Sequence, residues 1–386
     1  MGKRQLAVLC VCTMAIYSSI GGLVGLMPVY LTRLGVDASI IGLFLASAYL
    51  ALALSNVVAG RVSDHFQRRR PFLIIGGLLA SPLAWLMSQA ATVGQLWALM
   101  AGLWFAIGIP MTLANILVGL SSTASQRGRT FGLLSFSSGI GLFWGGFVSG
   151  PIVDRWGFPT LFATFAGFLL LAPLAGWFVR DTVGVHDRAV SPPLRHLLGD
   201  RTFTPLFVAS IVAQAANIVI FLSRPLIMDA RHFDATTISR AAAIGSLLTL
   251  PLPIVIGGLA DRIGRKTLIM ACFLAPTLGL LIQIAATQPW HFLASSVLST
   301  IVGVSTVAGA ALLSDSFPKA SLGTALALLN ATPWIGIVLG LSAGGLVIRT
   351  LQMTLALLLA ALLGFVALLL LLPIAEAPSE QRTGGR

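Results

Sequence analysis

Charged side chains are scarce in this chain of 386 residues, of which they make up 9%, whereas ordinary soluble domains carry about 25%. A soluble fold of this length would need two or three domains, and their surfaces would need far more charge. Hydrophobic residues make up 57% of the chain, which excludes a disordered protein. The composition therefore predicts an integral membrane protein.

The sequence also shows no cluster of the residues that most enzymes use for catalysis. The three cysteines lie in apolar stretches and form no CxxC pair, and the five histidines fall in loops or at the edges of apolar stretches. The sequence contains no phosphate loop, no dinucleotide fingerprint and no nucleophile beside a base. We therefore expect no enzyme activity, no cofactor and no metal site.

Acidic residues are absent from the middle of every apolar stretch. All twelve can be placed in loops or at helix ends, and the stretch from Leu96 to Leu120 carries no charge at all. Because a charge inside the bilayer is costly, one that is present usually serves a function. Their absence speaks against proton coupling by a buried carboxylate, although Asp229 and Asp315 remain alternative proton carriers. It also speaks against recognition of cations by a buried acid.

Twelve apolar stretches are long enough to cross the roughly 30 Å hydrocarbon core, which takes about 20 residues in a helix. We predict spans over 6–31, 39–60, 71–91, 95–120, 130–152, 158–179, 203–228, 236–258, 267–287, 290–313, 321–347 and 352–373. With the N-terminus inside, the inner segments hold 18 of the 24 basic residues. This bias predicts that both termini are cytoplasmic. The short loops and the lack of a targeting extension suggest a bacterial-type inner membrane, with the first span retained as a helix.

The second half of the chain repeats the first. A shift of 197 positions aligns Pro28 with Pro225, Asp64 with Asp261 and Arg68 with Arg265, and a shift of 195 aligns Gly150 with Gly345. Such parallel repeats are expected to form two bundles related by an axis along the membrane normal. We predict an N-terminal six-helix bundle (1–179), a cytoplasmic linker (180–202), a C-terminal six-helix bundle (203–373) and a cytoplasmic tail (374–386).

One loop of the repeat carries a recognisable motif, Gly257-Gly258-Leu259-Ala260-Asp261-Arg262-Ile263-Gly264-Arg265-Lys266. Its first copy runs from Gly60 to Pro71 and has Gln67 in place of the second glycine. With twelve spans and a central loop, the chain resembles the major facilitator superfamily. The resemblance implies an all-α membrane fold of 12 transmembrane helices in two bundles, which transports a small molecule by alternating access.

The polar residues of the two motif loops have two interpretations. They can cap helix ends and mark the cytoplasmic side by their charge. The resemblance implies instead an inner gate, in which these charges latch the cytoplasmic side closed. The candidate gate residues are Gly60, Asp64, Arg68, Arg69, Gly257, Asp261, Arg265 and Lys266.

The fifth span carries a run of glycines that ends in Gly150-Pro151. It resembles a motif of drug exporters in the same family, although the glycines expected after the proline are absent. The alternative is that these small residues only let helices pack closely.

Arg224 is the exceptional cation, because its repeat partner Met27 places it inside the outer part of span seven. One interpretation is an arginine that snorkels to the membrane interface. The other is a functional cation, which either binds an anionic substrate group or pairs with an acidic residue in a gate. Uncharged polar residues supply the other candidates, and the family resemblance implies a cavity lined by the first, fourth, seventh and tenth helices. The candidate substrate contacts are Tyr17, Asn115, Gln214, Asn217, Arg224, Asn330 and Trp334.

These observations predict a secondary active transporter, with efflux of an amphipathic or drug-like compound as the first hypothesis. A facilitator or exporter of a neutral or anionic metabolite, such as a sugar or organic acid, is the second. A receptor or scaffold that transports nothing is the third. The expected partners are a small-molecule substrate and the lipid bilayer, with a coupling proton left open. We expect a monomer that binds no nucleic acid.

Overall fold

The computed structural model describes residues 2–66, 68–122, 127–181, 197, 199–248, 250, 264–317 and 319–374. Over these residues the secondary structure is helical throughout, without strands. The helices are α1 (Lys3–Val24), α2 (Met27–Arg33), α3 (Ala38–Phe66), α4 (Arg70–Met87), α5 (Val93–Ser121), α6 (Arg127–Leu169), α7 (Leu171–Gly176), α8 (Phe203–Ala230), α9 (Ala235–Leu248), α10 (Arg265–Ile284), α11 (Pro289–Ile301), α12 (Ser305–Ser316) and α13 (Lys319–Leu370). A short 3-10 helix, Val302–Val304, joins α11 to α12.

Nine helical segments in the described part of the chain are long and apolar enough to cross a membrane. Two of them, Gly128–Gly176 and Ser321–Leu370, are far longer than one crossing needs, and each contains a break, at Gly157 and at Gln352. The nine segments therefore provide eleven crossings. The helix α9 opens the predicted eighth span, whose remainder runs into residues outside the description. The arrangement is consistent with the twelve predicted spans.

Turns with positive φ recur at the same positions of the repeat. Gly35 (φ 77°) and His232 (φ 61°) are 197 positions apart, and Gly157 (φ 79°) and Gln352 (φ 68°) are 195 apart. These are the two shifts that align the sequence halves. The halves therefore turn the chain in the same way, with glycine in the first copy and a residue with a side chain in the second.

Helix packing repeats as well. In the first half, a Cβ atom placed on Gly141 would lie 2.5 Å from the Met14 carbonyl oxygen and 3.1 Å from the Cβ of Tyr17. In the second half, a Cβ on Gly336 would lie 2.7 Å from the Ile211 carbonyl oxygen and 2.6 Å from the Cβ of Gln214. Because both sites leave no room for a side chain, glycine is what lets α6 approach α1 and α13 approach α8.

By its internal contacts the chain forms two compact units. Unit 1 comprises Met1–His186 and Pro225–Leu247, and unit 2 comprises Asp187–Arg224 and Leu248–Arg386. The segment Pro225–Leu247 thus packs with unit 1, although by the repeat it belongs to the second half. The division into two six-helix bundles around a linker at 180–202 stays a prediction.

Candidate functional site

Unit 1 contains a cavity of about 280 Å³ between α1, α5 and α6, lined by both polar and apolar residues. It brings together Tyr17 and Asn115, two of the predicted substrate contacts. Its lining consists of Thr13, Tyr17, Asn115, Leu134, Ser135, Ser138, Gly139 and Leu142. The volume lies just below the range for ligand pockets, which is about 300–1,000 Å³.

Helix geometry explains how the polar groups of this cavity are presented. Thr13 and Tyr17 are four residues apart on α1 and share one of its faces. The Thr13 hydroxyl is used within the protein, since it donates to the Leu9 carbonyl oxygen at 2.6 Å and lies 3.2 Å from the Ser137 hydroxyl. The Asn115 amide nitrogen donates to the Met111 carbonyl oxygen at 2.9 Å. The Tyr17 hydroxyl and the Asn115 side-chain oxygen have no hydrogen-bond partner among the described residues.

None of the described residues that line the cavity is charged. Such a cavity can offer hydroxyl and amide groups to a ligand, which make hydrogen bonds but do not neutralise a charge. Sequence reasoning missed Thr13, Ser135 and Ser138, because single hydroxyl residues are frequent in apolar helices. Their spacing was the available signal, since Ser135 and Ser138 are three apart and Thr13 precedes Tyr17 by one turn.

In unit 2, Gln214 and Asn217 share a face of α8, as predicted. The Asn217 amide nitrogen lies 3.5 Å from the Gln214 side-chain oxygen, the outer limit of a hydrogen bond. The Asn217 side-chain oxygen is buried without a partner among the described residues. On α13, Asn330 is exposed and Trp334 is half-buried. The role of these four residues as substrate contacts stays a prediction.

Arg224 lies in the core of unit 2, where its side chain is 2% exposed. Its Nη1 donates to the Ser296 hydroxyl at 2.6 Å, and its guanidinium carbon lies 5.3 Å from the centroid of the Phe221 ring. A snorkelling arginine would extend its charged group to the aqueous interface. The burial of Arg224 therefore argues against the snorkelling alternative.

The basic residues of the motif loops make contacts within their own units. In unit 2 the Lys266 ammonium donates to the carbonyl oxygens of Leu372 at 2.8 Å and Ile374 at 2.7 Å, and Arg265 donates to that of Ala311. Lys266 thereby binds the turns that follow α13, which ends at Leu370. The capping and the gate interpretations of these loop residues both stay predictions.

The first motif copy lies at the end of α3. Gly60 and Asp64 belong to that helix, and Arg68 is exposed, whereas Arg69 is 1% exposed. The backbone N–H groups of Arg69 and Arg70 both donate to the Asp181 carboxylate at 2.8 Å, which caps the start of α4. The Asp64 side chain and the residues Gly257 and Asp261 lie outside the described part.

At the opposite end of unit 1, acidic residues hold the segment Pro225–Leu247 in place. The Asp154 carboxylate accepts hydrogen bonds from the backbone of Ala235 at 3.0 Å and from the backbone and hydroxyl of Thr236 at 2.8 and 2.6 Å. Asp154 thus caps the start of α9 from the end of another span. Arg33 forms a salt bridge of 2.9 Å with Asp229. We call these contacts the distal cluster.

The glycine run of span five has two packing faces. Gly141 packs against α1, as described above. The backbone N–H of Gly150 donates to the Ser239 hydroxyl of α9 at 3.2 Å, and a Cβ on Gly146 would lie 3.2 Å from that of Ala243. Close helix packing therefore accounts for these glycines in the structure.

A sequence profile of the Major Facilitator Superfamily matches residues 9–222 and, in a second match, residues 206–386. The two matches cover nearly the whole chain and follow its two halves. The chain belongs to the Major Facilitator Superfamily. It is therefore a multi-pass membrane transporter of small molecules, and this family consists of transporters rather than enzymes.

Curated relatives of this family member include drug-resistance proteins. The chain is 28% identical to the class C tetracycline resistance protein of Escherichia coli, over 76% of this chain and 77% of that protein. It is 29% identical to the multidrug resistance protein MdtG of Enterobacter lignolyticus, over 69% and 66%. An uncharacterised transporter of the family from Methanocaldococcus jannaschii is 21% identical over 88% and 90%.

Solved structures support the fold. The nucleoside transporter NupG superposes with a TM-score of 0.77 at 16% identity, covering 96% of this chain and 98% of that one. A D-xylose-proton symporter gives a TM-score of 0.73 at 18% identity, covering 96% of both chains. The fold predicted from the sequence, an all-α membrane protein of this family, is confirmed.

Proposed function

We propose that this transporter is an efflux permease for an uncharged, amphipathic or drug-like compound, and that it works by alternating access. The observation that carries the proposal is the uncharged cavity around Tyr17 and Asn115, which combines apolar residues with a few polar groups. Two groups there lack partners among the described residues and can bind the hydroxyl or amide groups of a ligand. Pockets of this kind recognise a largely apolar ligand that carries a few polar groups at fixed positions.

The names of the relatives support efflux rather than uptake. Two of the curated relatives carry names that refer to drug resistance, and the chain spans roughly two thirds to three quarters of each. We extend to this chain the export of drug-like compounds that those names suggest. The proposal places the protein in a bacterial inner membrane as a monomer, with both termini in the cytoplasm, so that the distal cluster faces outward.

The second candidate is a facilitator or exporter of a neutral or anionic metabolite. The lack of carboxylates in the described lining of the cavity favours it, because such a transporter needs no proton-carrying acid. Arg224 would then serve an anionic substrate, but its only polar contact among the described residues is Ser296. We therefore rank this candidate second, and a receptor that transports nothing third.

The first test is transport by the purified protein in vesicles, with Tyr17→Phe and Asn115→Leu as variants. Each variant removes one hydrogen bond to the ligand. Because a typical hydrogen bond is worth about 1 kcal/mol net, each should raise the substrate concentration at half-maximal rate about five-fold. Tyr30→Phe is the matched control, since Tyr30 stacks on Phe158 at 4.4 Å and lies outside the cavity.

Three classes of solute distinguish the candidates. Neutral and cationic amphiphiles, sugars and organic anions are offered in parallel, with and without an acid gradient. Movement of neutral amphiphiles that weakens in both cavity variants but not in Tyr30→Phe supports the proposal. Movement of organic anions alone, unaffected by the cavity variants, contradicts it and favours the second candidate. If no solute moves although the protein is folded, the receptor hypothesis gains support.

A further inference from the structure

Polar side chains gather in the core of unit 2, where α8, α10 and α11 meet. They are Ser223 and Arg224 of α8, Gln283 of α10, and Ser295 and Ser296 of α11. Each is at most 2% exposed. This cluster, which we call the arginine cluster, shares no residue with the Tyr17 cavity, whose lining belongs to unit 1.

Some of the hydrogen bonds within the arginine cluster are made and others are missing. Arg224 Nη1 donates to Ser296 Oγ at 2.6 Å. Ser223 Oγ lies 2.7 Å from both the Val219 carbonyl oxygen and Gln283 Oε1, and its single proton can serve only one of them. Two buried donors have no partner among the described residues, Arg224 Nε and Ser295 Oγ, and the first can only donate.

The charge of Arg224 is also unbalanced. No carboxylate of the described residues pairs with it, and Asp229, five positions further along, is engaged with Arg33. Arg224 lies six residues before the end of α8, about 9 Å from it at the rise of an α-helix. A cation at such a position without a counter-charge is strongly destabilising. A buried water could satisfy the donors, but it could not neutralise the charge.

We propose that the arginine cluster binds a small monovalent anion such as chloride. An anion would accept from the unsatisfied donors and neutralise Arg224 at the same time, with short, strong charge-assisted bonds. The close packing of the neighbouring helix turn favours a halide over an organic acid. A Cβ on Gly279, one turn before Gln283, would lie 3.3 Å from Ile220 Cδ1 and 3.4 Å from Ser295 Oγ, so the three helices approach closely. The proposal is independent of what the protein transports.

The test measures the melting temperature of the purified full-length protein in detergent while chloride replaces gluconate at constant ionic strength. We expect a saturable rise with chloride, and a similar rise with bromide and nitrate, because a ligand that binds only the folded state stabilises it. Arg224→Met removes the charge but keeps much of the side-chain volume. It should melt at the same temperature in both salts and, in gluconate, no lower than the parent.

Arg240→Met is the matched control, because Arg240 is exposed and stacks on Phe147 at 4.7 Å. It should keep the full chloride response. If Arg224→Met fails to fold, Ser296→Ala and Ser295→Ala replace it, and both should shift the chloride titration to higher concentration. Equal melting of the parent in chloride and gluconate overturns the proposal. So does a chloride response that survives in these variants, or a response to acetate without one to chloride.

Discussion

Gln352 adopts a backbone conformation that glycine alone adopts without strain. Its φ of 68° and ψ of 160° fall in a region that costs other residues about 1–3 kcal/mol. Gly157, its counterpart in the repeat, has φ 79° and ψ 175° and carries no such cost. Both residues end one long helix and begin the next, so the fold requires the turn whichever residue occupies it.

We therefore predict that Gln352→Gly stabilises the protein and that Gly157→Gln destabilises it. Each change should amount to about 1 kcal/mol or more, because the backbone conformation strains any residue that has a side chain. Thermal unfolding in detergent measures both changes. His232→Gly is a useful comparison, because His232 (φ 61°) stands at the end of α8, where the Phe233 N–H donates to the Met228 carbonyl oxygen in the pattern of a helix C-cap. A side chain is tolerated better in that conformation. A loss of stability in Gln352→Gly would show that the side chain contributes more than the strain costs.

At the scale of helices, the glycines of α6 decide how closely it packs. Gly141 has no room for a Cβ beside α1, whereas Gly132 in the same helix has nothing within 4 Å of the added atom. The second half offers the same contrast, since Gly336 is crowded and Gly323 is free. The two kinds of position can therefore be compared within one helix and across the repeat.

We predict opposite effects for alanine at these positions. Gly132→Ala and Gly323→Ala should be neutral or stabilising, by up to about 1 kcal/mol from helix propensity. Gly141→Ala and Gly336→Ala should destabilise by about 1–3 kcal/mol, because overpacking forces the backbones apart. Thermal unfolding of the four single variants is the measurement. Equal effects at crowded and open positions would mean that these helices do not pack as described.

The sequence predicted the fold class well, because long apolar helices and the repeat follow from hydrophobic spacing and from residues that recur along the chain. It also singled out Tyr17 and Asn115, which the structure places in one cavity. It could not identify Thr13 as part of that lining. It gave Asp154 no role, because the helix that Asp154 caps begins 81 residues later. Contacts between distant segments depend on the fold, which hydrophobic spacing does not specify in such detail.

For the whole molecule, the distal cluster bears on the proposed alternating access. In the described structure, Asp154 and the Arg33–Asp229 pair fasten Pro225–Leu247 to the rest of unit 1. If the transporter alternates, these contacts must break whenever the distal end opens. Weakening them should make that opening more frequent without changing the Tyr17 cavity, since none of these residues lines it.

We predict that Asp154→Ala increases exposure of the α6–α9 contact. Ser239 is 1% exposed there, so Ser239→Cys reports the opening through its rate of maleimide labelling, with Cys10, Cys12 and Cys272 replaced by alanine. A hydrogen bond to a charged group contributes about 1.5–3 kcal/mol when it is sheltered from solvent. Because Asp154 is exposed, we expect its contribution to lie at the lower end of this range or below. This corresponds to labelling that is about ten-fold faster in Asp154→Ala than in the parent.

Asp37→Asn controls for the loss of an acidic charge, because Asp37 is also exposed. Its counterpart in the repeat is Asp234, which, unlike Asp154, does not cap a helix from another span. It should leave the labelling rate unchanged. Substrate should slow labelling by the same factor in the parent and in Asp154→Ala if binding favours the state closed at this end, because Asp154 does not line the Tyr17 cavity. An equal labelling rate in the parent and Asp154→Ala would mean that this carboxylate only begins a helix. The closing of the distal end would then rest on the glycine contacts of α6 and on the Arg33–Asp229 pair.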